Sequence, residues 1–269
     1  MELVANRTAV VTGAGRGIGR AIAVRLAANG AVVTVNDVDE QPARETVEII
    51  SAQGGKAEPA VGSVTDPSFT DAMLSQAAAR TGSVDILVNN AGITRDRVIH
   101  RMTDEDWSFV LAVNLTGTFN CIRSASPHMR DTARRELEEL GEVRYHRKII
   151  NFYSTAAIRG NPGQANYTAA KMGNVGLTRT IAAEWARFRI NVNAVAPGFT
   201  DTRLTQPREE QADGLGIPKA QRERMIATLP FGRPASPDDV AAVVLFFASP
   251  LSDFVTGQEI NVSGGHQIP

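Results

Sequence analysis

Near its start the chain reads Thr12-Gly13-Ala14-Gly15-Arg16-Gly17-Ile18-Gly19, which begins with the last residue of the β-branched run at 8–12. Gly13, Gly17 and Gly19 permit a tight turn and let a pyrophosphate approach the backbone closely. A helix predicted over 17–29 begins at this turn, so the positive end of its dipole faces such an anion. A strand, this turn and a helix in that order predict the first unit of a dinucleotide-binding fold.

The rest of the chain repeats this alternation of short apolar strands and longer helical patterns. Strands are predicted at 8–12, 31–36, 56–61, 84–89, 148–153, 189–195 and 258–262. Helices are predicted at 17–29, 40–53, 67–80, 103–130, 164–187 and 237–248. Continuous apolar strands are typical of a parallel sheet that is buried on both faces. We therefore expect an α/β fold, a single-domain doubly wound (Rossmann) parallel sheet of about seven strands with helices on both faces, over 1–269.

Composition and charge argue against several classes of protein. The 269 residues carry a net charge of −1, which gives no sign of a nucleic-acid partner. The start of the chain lacks a signal-peptide pattern, and the longest apolar run, 240–248, is too short for a membrane span. The one cysteine, Cys121, is expected to be a buried small hydrophobe. The four histidines show no ligand spacing, so we predict no metal site. From the missing signal pattern and the short apolar runs we expect no membrane partner and a cytoplasmic location.

Two segments interrupt the regular alternation. The segment 130–148 is dense in charge, and we interpret it as a solvated surface insertion in which 134–140 extends the preceding helix. A contact with a partner is the alternative. The segment 203–234 is rich in Pro, Gly and charge. Because segments that leave the carboxyl ends of parallel strands line the ligand crevice, we interpret it as a substrate lid with a short helix near 220–228. A plain surface loop is the alternative.

A second pattern indicates proton-transfer chemistry. Tyr167 and Lys171 are four positions apart in a predicted helix, so the phenol and the ammonium share a face. A neighbouring cation favours the phenolate, and we expect it to draw the pKa of Tyr167 down from about 10 toward neutrality. A phenol tuned in this way can donate a proton to a ketone or accept one from an alcohol. Ser154 lies upstream of this pair, just past the strand predicted at 148–153.

The residue after the second predicted strand bears on the choice of dinucleotide. Asp37 can accept hydrogen bonds from both ribose hydroxyls of an adenosine group, and it would repel a 2′-phosphate. Arg16 argues the other way, because a guanidinium beside the turn can pair with that phosphate. We give Asp37 more weight because its reach to the ribose is direct. The prediction is therefore NAD(H), with NADP(H) left open.

Together these motifs resemble those of the short-chain dehydrogenase/reductase family across essentially the whole chain. The closest resemblance is to its 3-oxoacyl-[acyl-carrier-protein] reductase branch. The resemblance is carried by the turn at 12–19, Asn89-Asn90-Ala91-Gly92, Asn114-Leu115-Thr116-Gly117, Ser154, Tyr167-Thr168-Ala169-Ala170-Lys171 and Pro197-Gly198. Each motif is modest alone, but their order and spacing are specific. The stretches at 87–96 and 163–167 are especially close to that branch.

The resemblance implies a catalytic set of four residues, Asn114, Ser154, Tyr167 and Lys171. Tyr167 would be the general acid in reduction and the base in oxidation. Lys171 would hold the nicotinamide ribose and lower the pKa of Tyr167. Ser154 would hydrogen-bond the substrate oxygen, and Asn114 would hold a water that relays protons to Lys171. The cofactor itself would carry the hydride chemistry.

The resemblance also implies a dinucleotide site built from several segments. The residues expected to contact the cofactor are Gly13, Arg16, Gly17, Ile18, Gly19, Asp37, Ser63, Val64, Asn90, Ala91, Gly92, Tyr167, Lys171, Pro197, Gly198, Thr200 and Thr202. Ser63 is a departure, because the family usually has Asp there, and an uncharged hydroxyl would hold the adenine amine less strongly. A second departure is the insertion around 131–147, which is longer than usual in this branch.

The function implied is the NAD(H)-dependent interconversion of a ketone and a secondary alcohol. A 3-oxoacyl thioester on a carrier protein or coenzyme A is the first candidate substrate. The basic residues that could attract such a carrier, although solvated surface charge is the simpler interpretation, are Arg95, Arg97, Arg101, Arg187 and Arg189. The alternatives are a dehydrogenase of another small alcohol, an NADP(H)-dependent reductase, a nucleotide-sugar epimerase or dehydratase, and a non-catalytic dinucleotide sensor. The family commonly forms tetramers, so we expect a homotetramer formed partly through the helices near 103–130 and 164–187.

Overall fold

The computed structural model describes residues 2–211 and 215–266. Its strands are β1 (Thr8–Val11), β2 (Val32–Asp37), β3 (Lys56–Val61), β4 (Ile86–Asn89), β5 (Arg147–Phe152), β6 (Ile190–Pro197) and β7 (Glu259–Val262). Its α-helices are α1 (Gly17–Ala28), α2 (Glu40–Ala52), α3 (Pro67–Ala79), α4 (Asp104–Leu111), α5 (Gly117–Leu140), α6 (Thr155–Arg159), α7 (Ala165–Trp185), α8 (Lys219–Ala227) and α9 (Pro237–Ala248). Every predicted strand is present, with its ends shifted by no more than two residues.

The strands form one parallel sheet in the order β3-β2-β1-β4-β5-β6-β7. The chain moves outward from β1 to β3 and then crosses back, so that β4 lies on the other side of β1. Helices α1, α2 and α9 cover one face of the sheet, and α3, α5 and α7 cover the other. The doubly wound α/β fold predicted from the sequence is confirmed.

The central strands are apolar throughout because alternate residues enter two different cores. Val11, Val88 and Ile150 pack under α1 and α9. Their chain neighbours on the opposite face pack under α3 and α5; these are Val10, Leu87 and Ile149. Cys121 joins the second core as expected, and burial raises the pKa of its thiol to about 12. Among residues 2–211 and 215–266, no helix combines the length and the apolar character that crossing a bilayer requires.

The segment predicted as one helix over 103–130 has three parts. Helix α4 ends at Leu111, a π-helical turn spans Ala112–Thr116, and α5 then continues to Leu140. Gly141 ends α5 with a φ of 78°, a left-handed conformation that glycine adopts without strain. The short helix α6 has no counterpart in the predicted pattern, whereas α8 lies where a short helix near 220–228 was expected.

The charged segment 130–148 is only partly solvated, which corrects the interpretation of it as a surface insertion throughout. Arg147 and Lys148 begin β5 and are each 1% exposed. Arg147 donates hydrogen bonds to both carboxylate oxygens of Glu136, at 2.9 and 3.0 Å. Lys148 donates to Asp253 at 2.6 Å. Buried charges need such partners, so part of this segment's charge holds the extended α5 against the sheet.

The pair formed by Glu136 and Arg147 can be tested by mutation. Burial disfavours the charged form of Glu136, but the hydrogen bond and charge of Arg147 outweigh this and hold the pKa of Glu136 below its usual value. Glu136→Gln leaves the buried guanidinium with less compensation, so we expect the free energy of unfolding at pH 7 to fall by about 2 kcal/mol. Because the folded-state pKa is lowered, the stabilisation is present above the pKa of the unfolded carboxyl and is lost as the pH falls through the folded-state value.

The matched control is Glu138→Gln on the same helix. Glu138 is exposed and lies 3.9 Å from Arg134, so we expect its loss to change the unfolding free energy by less than about 0.5 kcal/mol. Urea unfolding at pH 7 and at pH 3.5 measures both variants. Equal losses in the two variants, or a Glu136→Gln loss that is undiminished at the lower pH, would contradict the assignment.

Candidate active site

Most of the predicted site residues lie along one edge of the sheet, where the strands end. The carboxyl ends of β1, β2, β4, β5 and β6 meet there. The strand order switches between β1 and β4, because the chain adds β2 and β3 on one side of β1 and β4 on the other. Ligands of open α/β sheets bind outside this edge, at the switch. The site is described from this point outward.

The Gly-rich turn leads from β1 into α1. Gly13 and Gly17 have φ values of 61° and 52°, in the left-handed region that favours glycine. A Cβ on Gly19 would lie 2.1 Å from the carbonyl oxygen of Gly13, so only glycine lets α1 start this close to β1. Arg16 precedes α1 without a side-chain capping bond, and the first turn, which contains Ile18, has no acidic residue. The free N–H groups and positive dipole of α1 therefore remain available to an anion.

Thr12 and Asn90 connect the ends of β1 and β4 across the switch. The Thr12 hydroxyl accepts hydrogen bonds from the backbone N–H groups of Asn90 and Ala91, both at 3.1 Å. The Asn90 amide donates to the carbonyls of Thr12 and Gly13, at 2.9 and 3.0 Å. The Asn90 side chain thus supports the turn from within the protein.

Asp37 ends β2 with its carboxylate directed at the turn. One oxygen accepts from the backbone N–H of Gly15 at 2.9 Å, and the other accepts from that of Asp39 at 3.2 Å. Arg16 Nη1 lies 2.6 Å from a carboxylate oxygen of Asp39. The guanidinium beside the turn therefore already has an anionic partner.

The residues that follow β3 and β6 differ in how far their side chains are exposed toward the site. The Ser63 hydroxyl is half-buried and hydrogen-bonded to Thr65 at 2.8 Å. Val64, in contrast, is 5% exposed and its side chain packs in the core under α3 and α5, so a cofactor contact at this position would come from its backbone. The segment that follows β6, here called the β6 connection, contains Thr202. A Cβ placed on Gly17 would lie 3.6 Å from the methyl carbon of Thr202, so this connection faces the Gly-rich turn.

The rest of the β6 connection is held at the sheet edge. The N–H of Gly198 donates to Val262 at 2.9 Å, and a Cβ on Gly198 would lie 2.8 Å from Ser263. The Thr200 hydroxyl donates to the Gly198 carbonyl at 3.1 Å. Pro197, the last residue of β6, accepts through its carbonyl from a side chain of α6. Of the proposed lid at 203–234, residues 212–214 lie outside the described part of the chain.

Ser154, Tyr167 and Lys171 converge at the end of β5. The Ser154 hydroxyl caps α6 by accepting from the N–H of Ala156 at 3.2 Å, and it is hydrogen-bonded to the Tyr167 phenol. Lys171 Nζ lies 5.7 Å from the centre of the Tyr167 ring and donates to the carbonyl of Phe152 at 3.3 Å. The arrangement places a hydroxyl, a phenol and an ammonium side by side.

A buried amide fixes the start of the helix that carries this pair. Asn166 Oδ1 accepts from the N–H of Tyr167 at 2.8 Å, which satisfies one of the free N–H groups at the start of α7. Its Nδ2 donates to the carbonyls of Arg95 and Asp106, both at 3.1 Å. The start of α7, which carries Tyr167, is therefore tied to the loop after β4 and to α4. In the sequence Asn166 appears only within the family stretch at 163–167, and its spacing alone gives no sign of this role.

Burial shifts the two titratable groups of the pair in opposite directions. It raises the pKa of Tyr167; the hydrogen bond from Ser154 offsets part of this rise, and the carboxylate of Asp96 adds to it. It lowers the pKa of Lys171 to about 8. The expected fall in the Tyr167 pKa is therefore wrong for this structure, because the loss of solvation outweighs the ammonium, which lies against the ring rather than at the hydroxyl.

Asn114 lies in the π-helical turn and is fully buried. Its Nδ2 donates to the carbonyls of Ile93 and Val110, at 2.9 and 3.0 Å. Its Oδ1 has no hydrogen-bond partner within the described residues. A Cβ on Gly92 would lie 2.6 Å from this oxygen and 3.1 Å from Lys171 Nζ, so both atoms border one small space above Gly92.

These features fit a nicotinamide dinucleotide. The uncapped start of α1 suits a pyrophosphate, and the carboxylate of Asp37 beside the turn suits a ribose. The Lys171 ammonium and the unpartnered Asn114 oxygen lie together beside Gly92, and this pairing of a donor with an acceptor suits the hydroxyls of a sugar. The structure thus places most of the predicted residues of both halves of the site along one edge of the sheet.

Known proteins with similar sequences cover this whole region. A family profile described as Enoyl-(Acyl carrier protein) reductase matches residues 13–267. The chain is 38% identical over 260 residues to the 3-oxoacyl-[acyl-carrier-protein] reductase FabG of Thermotoga maritima, which spans 97% of each chain. It is 40% identical over 261 residues to the FabG of Staphylococcus aureus strain Mu50, spanning 97% of this chain and 98% of the relative. It is 42% identical over 261 residues to the short-chain reductase protein NovJ of Streptomyces niveus, spanning 96% and 92%.

Gly92 gives a direct test of the space beside Lys171. Gly92→Ala would place a methyl group 2.6 Å from Asn114 Oδ1, and Asn114 cannot retreat because its amide is held at two carbonyls. We expect the dissociation constant for NADH, measured by the change in its fluorescence, to rise at least about tenfold, a loss of about 1.4 kcal/mol.

The control is Gly176→Ala in α7, where an added Cβ would meet nothing within 4 Å. It should leave NADH affinity unchanged and stabilise the fold by up to about 1 kcal/mol through helix propensity. Unchanged NADH affinity in Gly92→Ala would show that the dinucleotide does not use this space.

Proposed function

The chain belongs to the short-chain dehydrogenase/reductase family, and we propose that it interconverts 3-oxoacyl and 3-hydroxyacyl thioesters with NAD(H). Family membership makes it an oxidoreductase that acts on a carbonyl and alcohol pair with a nicotinamide dinucleotide. The observation that carries the finer proposal is the convergence of Ser154, Tyr167 and Lys171 at the end of β5. These groups can hold a carbonyl oxygen and supply its proton.

In this proposal Tyr167 moves the proton and Ser154 holds the substrate oxygen. The Ser154 hydroxyl, which donates to the phenol in the free protein, would turn its one proton to the oxygen on which negative charge develops. Tyr167 would give that oxygen its proton in reduction and take it back in oxidation. A phenol whose pKa is raised stays protonated at neutral pH, which favours the role of acid in reduction. The bound nicotinamide supplies or accepts the hydride.

Lys171 and Asn114 would serve the ribose and the proton supply. The ammonium would bind the nicotinamide ribose hydroxyls in the space above Gly92. A pKa of about 8 lets Lys171 exchange protons near neutral pH, so it can replace the proton that Tyr167 donates. The unpartnered Asn114 oxygen would accept a hydrogen bond from a water next to the ammonium.

The preference for NAD(H) rests on the charges beside the turn. The Asp37 carboxylate is fixed there by the N–H of Gly15 and would repel a 2′-phosphate. Arg16 would be the natural partner for that phosphate, but Asp39 already neutralises it at 2.6 Å. The ribose hydroxyls of NAD(H) suit this arrangement better than a phosphate does.

The thioester substrate is inferred from the relatives and from an apolar groove that reaches Thr168, the neighbour of Tyr167. Two of the relatives described above are named as 3-oxoacyl-[acyl-carrier-protein] reductases. In this chain an apolar groove of about 400 Å³ lies between the loop after β4 and the α6–α7 connection. Its apolar lining includes Val98, Ile99, Pro162 and Ala165. Such a surface suits an acyl chain.

We also propose that 203–234 acts as a substrate lid. Arg222 of α8 lies 2.8 Å from Asp201, and it donates to the Thr205 carbonyl at 3.1 Å. These contacts join α8 to the connection that faces the Gly-rich turn. A homotetramer remains our proposal for assembly, and it is supported by an apolar groove on the outer face of α5 and α7 that includes Phe119 and Trp185.

Tyr167→Phe tests the proton transfer. We expect kcat for a short 3-oxoacyl thioester, followed as NADH oxidation at 340 nm, to fall by about 10²- to 10⁴-fold because the acid is lost. The dissociation constant for NADH should stay within about twofold, which separates chemistry from binding. An unimpaired rate would remove Tyr167 from the mechanism.

Tyr153→Phe is the matched control for this substitution. Tyr153 is buried beside Ser154, and its hydroxyl donates to Asn261 at 2.7 Å, away from the proposed substrate oxygen. Its loss should affect stability and leave kcat within about threefold of wild type, since it removes no proton donor from the reaction. Tight dinucleotide binding by wild type with no turnover of any carbonyl compound would instead indicate a sensor.

Asp37→Ser tests the cofactor preference. Wild type should have the higher kcat/KM with NADH, and Asp37→Ser should raise kcat/KM for NADPH about tenfold or more by removing the repulsion. Asp39→Asn should raise it by a smaller factor, because it only frees Arg16. A wild-type preference for NADPH would overturn the assignment.

A further inference from the structure

Helix α7 carries a fully buried amide beyond Lys171 that lies outside every motif of the family resemblance. This residue is Asn174, three positions after Lys171 and therefore on the same helical face. Its Nδ2 donates to the carbonyl of Asn114 at 2.9 Å and to that of Phe152 at 3.0 Å. Lys171 Nζ donates to this same Phe152 carbonyl at 3.3 Å. One amide thus contacts the immediate surroundings of two predicted catalytic residues.

These hydrogen bonds join three elements at one point. The π-helical turn provides the carbonyl of Asn114, the end of β5 provides that of Phe152, and α7 provides the amide. The Asn114 carbonyl also accepts from the Thr118 hydroxyl at 3.2 Å. Both of its lone pairs are then used inside the protein, which fixes Asn114 from its backbone as well as from its side chain.

Asn174 is itself held rigidly from the opposite side. Its own carbonyl accepts from the Thr178 hydroxyl at 2.7 Å, and that hydroxyl accepts from the Asn151 amide at 2.9 Å. Asn151 in turn accepts from the amide of Asn89 at 2.8 Å. This row of buried polar side chains crosses β5 and β4 beneath the site. The backbone of α7 at Asn174 is therefore tied to the sheet, and the side-chain amide is held by its two bonds to Asn114 and Phe152.

The acceptor oxygens at this point are not all used. Asn174 Oδ1 and Asn114 Oδ1 are both buried and have no hydrogen-bond partner within the described residues. An ammonium has three N–H donors, and Lys171 gives one to Phe152. Buried polar atoms without partners are rare in folded proteins and concentrate where a site needs them. Asn114 Oδ1 borders the same space as Lys171 Nζ, and the Asn174 amide shares the Phe152 carbonyl with that ammonium, which favours a functional placement over simple packing.

We propose that Asn174 is a positioning residue that fixes Lys171 and Asn114 relative to each other for proton exchange with Tyr167. The inference rests on the proposed function, because it concerns how that proton transfer is supported. An apolar side chain of the same size would fill the space but leave the carbonyls of Asn114 and Phe152 without their shared donor. The π-helical turn and the carbonyl that binds the Lys171 ammonium would then no longer be held by the same side chain.

Asn174→Leu is the first variant of the test, and Asn193→Leu is its matched control. Asn193 is also a buried Asn with two backbone hydrogen bonds, donating to Val255 at 2.9 Å and accepting from Gln258 at 3.0 Å. We expect similar losses of melting temperature in both variants. Only Asn174→Leu should lower kcat about tenfold or more, because small misplacements of reacting groups have large effects on rate.

Asn174→Asp gives a readout that a packing role would not move. A carboxylate at this position would favour the protonated form of Lys171 and shift the basic limb of the pH profile for alcohol oxidation upward by about one pH unit. The other titratable groups that bear on this point, within the described residues, are Tyr167 on the same helix and Asp96 on the loop after β4. Both are unchanged in the variant.

The outcomes separate this inference from the proposed function. If wild type turns over a 3-oxoacyl thioester and Tyr167→Phe does not, the proposed function stands, and the Asn174 variants decide the inference. A wild-type kcat in Asn174→Leu together with an unshifted profile in Asn174→Asp would reduce Asn174 to a packing residue. Absence of turnover of any carbonyl compound by wild type would overturn both.

Discussion

The site depends on one constraint, the fixed separation between the ends of the parallel strands β1 and β4, where the strand order of the sheet switches. Thr12 and Asn90 set that separation with four hydrogen bonds between the two strand ends. The contact between Gly19 and Gly13 then presses the start of α1 onto the same place. Asp37 is placed on one side of this point through Gly15, and the space bordered by Lys171 and Asn114 is placed on the other through Gly92. A dinucleotide is the ligand whose two ends would span both sides.

The treatment of buried charge differs between the two ends of the sheet. At the amino end, Lys148 is 1% exposed and has three side-chain partners, among them Asp253 at 2.6 Å. At the carboxyl end, Lys171 is 4% exposed, and the hydrogen bond found for it in the described residues goes to one backbone carbonyl. Burial lowers its pKa to about 8, and no carboxylate within 2–211 and 215–266 offsets this. A charge this poorly compensated is expected where proton exchange is needed rather than where stability is needed.

Much of the fold could be predicted from the sequence, because the alternation of strands and helices and the glycines at 13, 17 and 19 determine it locally. The convergence of Ser154, Tyr167 and Lys171 also follows from motif and spacing. The rest depends on burial, which one-dimensional spacing does not contain. Arg147 and Lys148 look like surface charge in a polar segment, yet both are buried at the start of β5. The same applies to the raised pKa of Tyr167, which arises from loss of solvation.

Other features escaped the sequence because their signals are ordinary. Asn174 is a single polar residue in a helix, and only its packing against Asn114 distinguishes it. The π-helical turn at Ala112–Thr116 has no sequence pattern of its own, and α6 is too short to show periodicity. The side chain of Val64 packs in the core, which its place beside Ser63 in the sequence does not show.

A crystal structure of the protein with NAD(H) and a 3-hydroxyacyl thioester analogue would test the central claim most directly. The account predicts that C4 of the nicotinamide lies about 3 to 4 Å from the reacting carbon, with the substrate oxygen within hydrogen-bond distance of both Ser154 and Tyr167. It also predicts that the nicotinamide ribose contacts Lys171 and the adenosine ribose contacts Asp37. A nicotinamide ring bound away from Ser154 and Tyr167 would contradict the account.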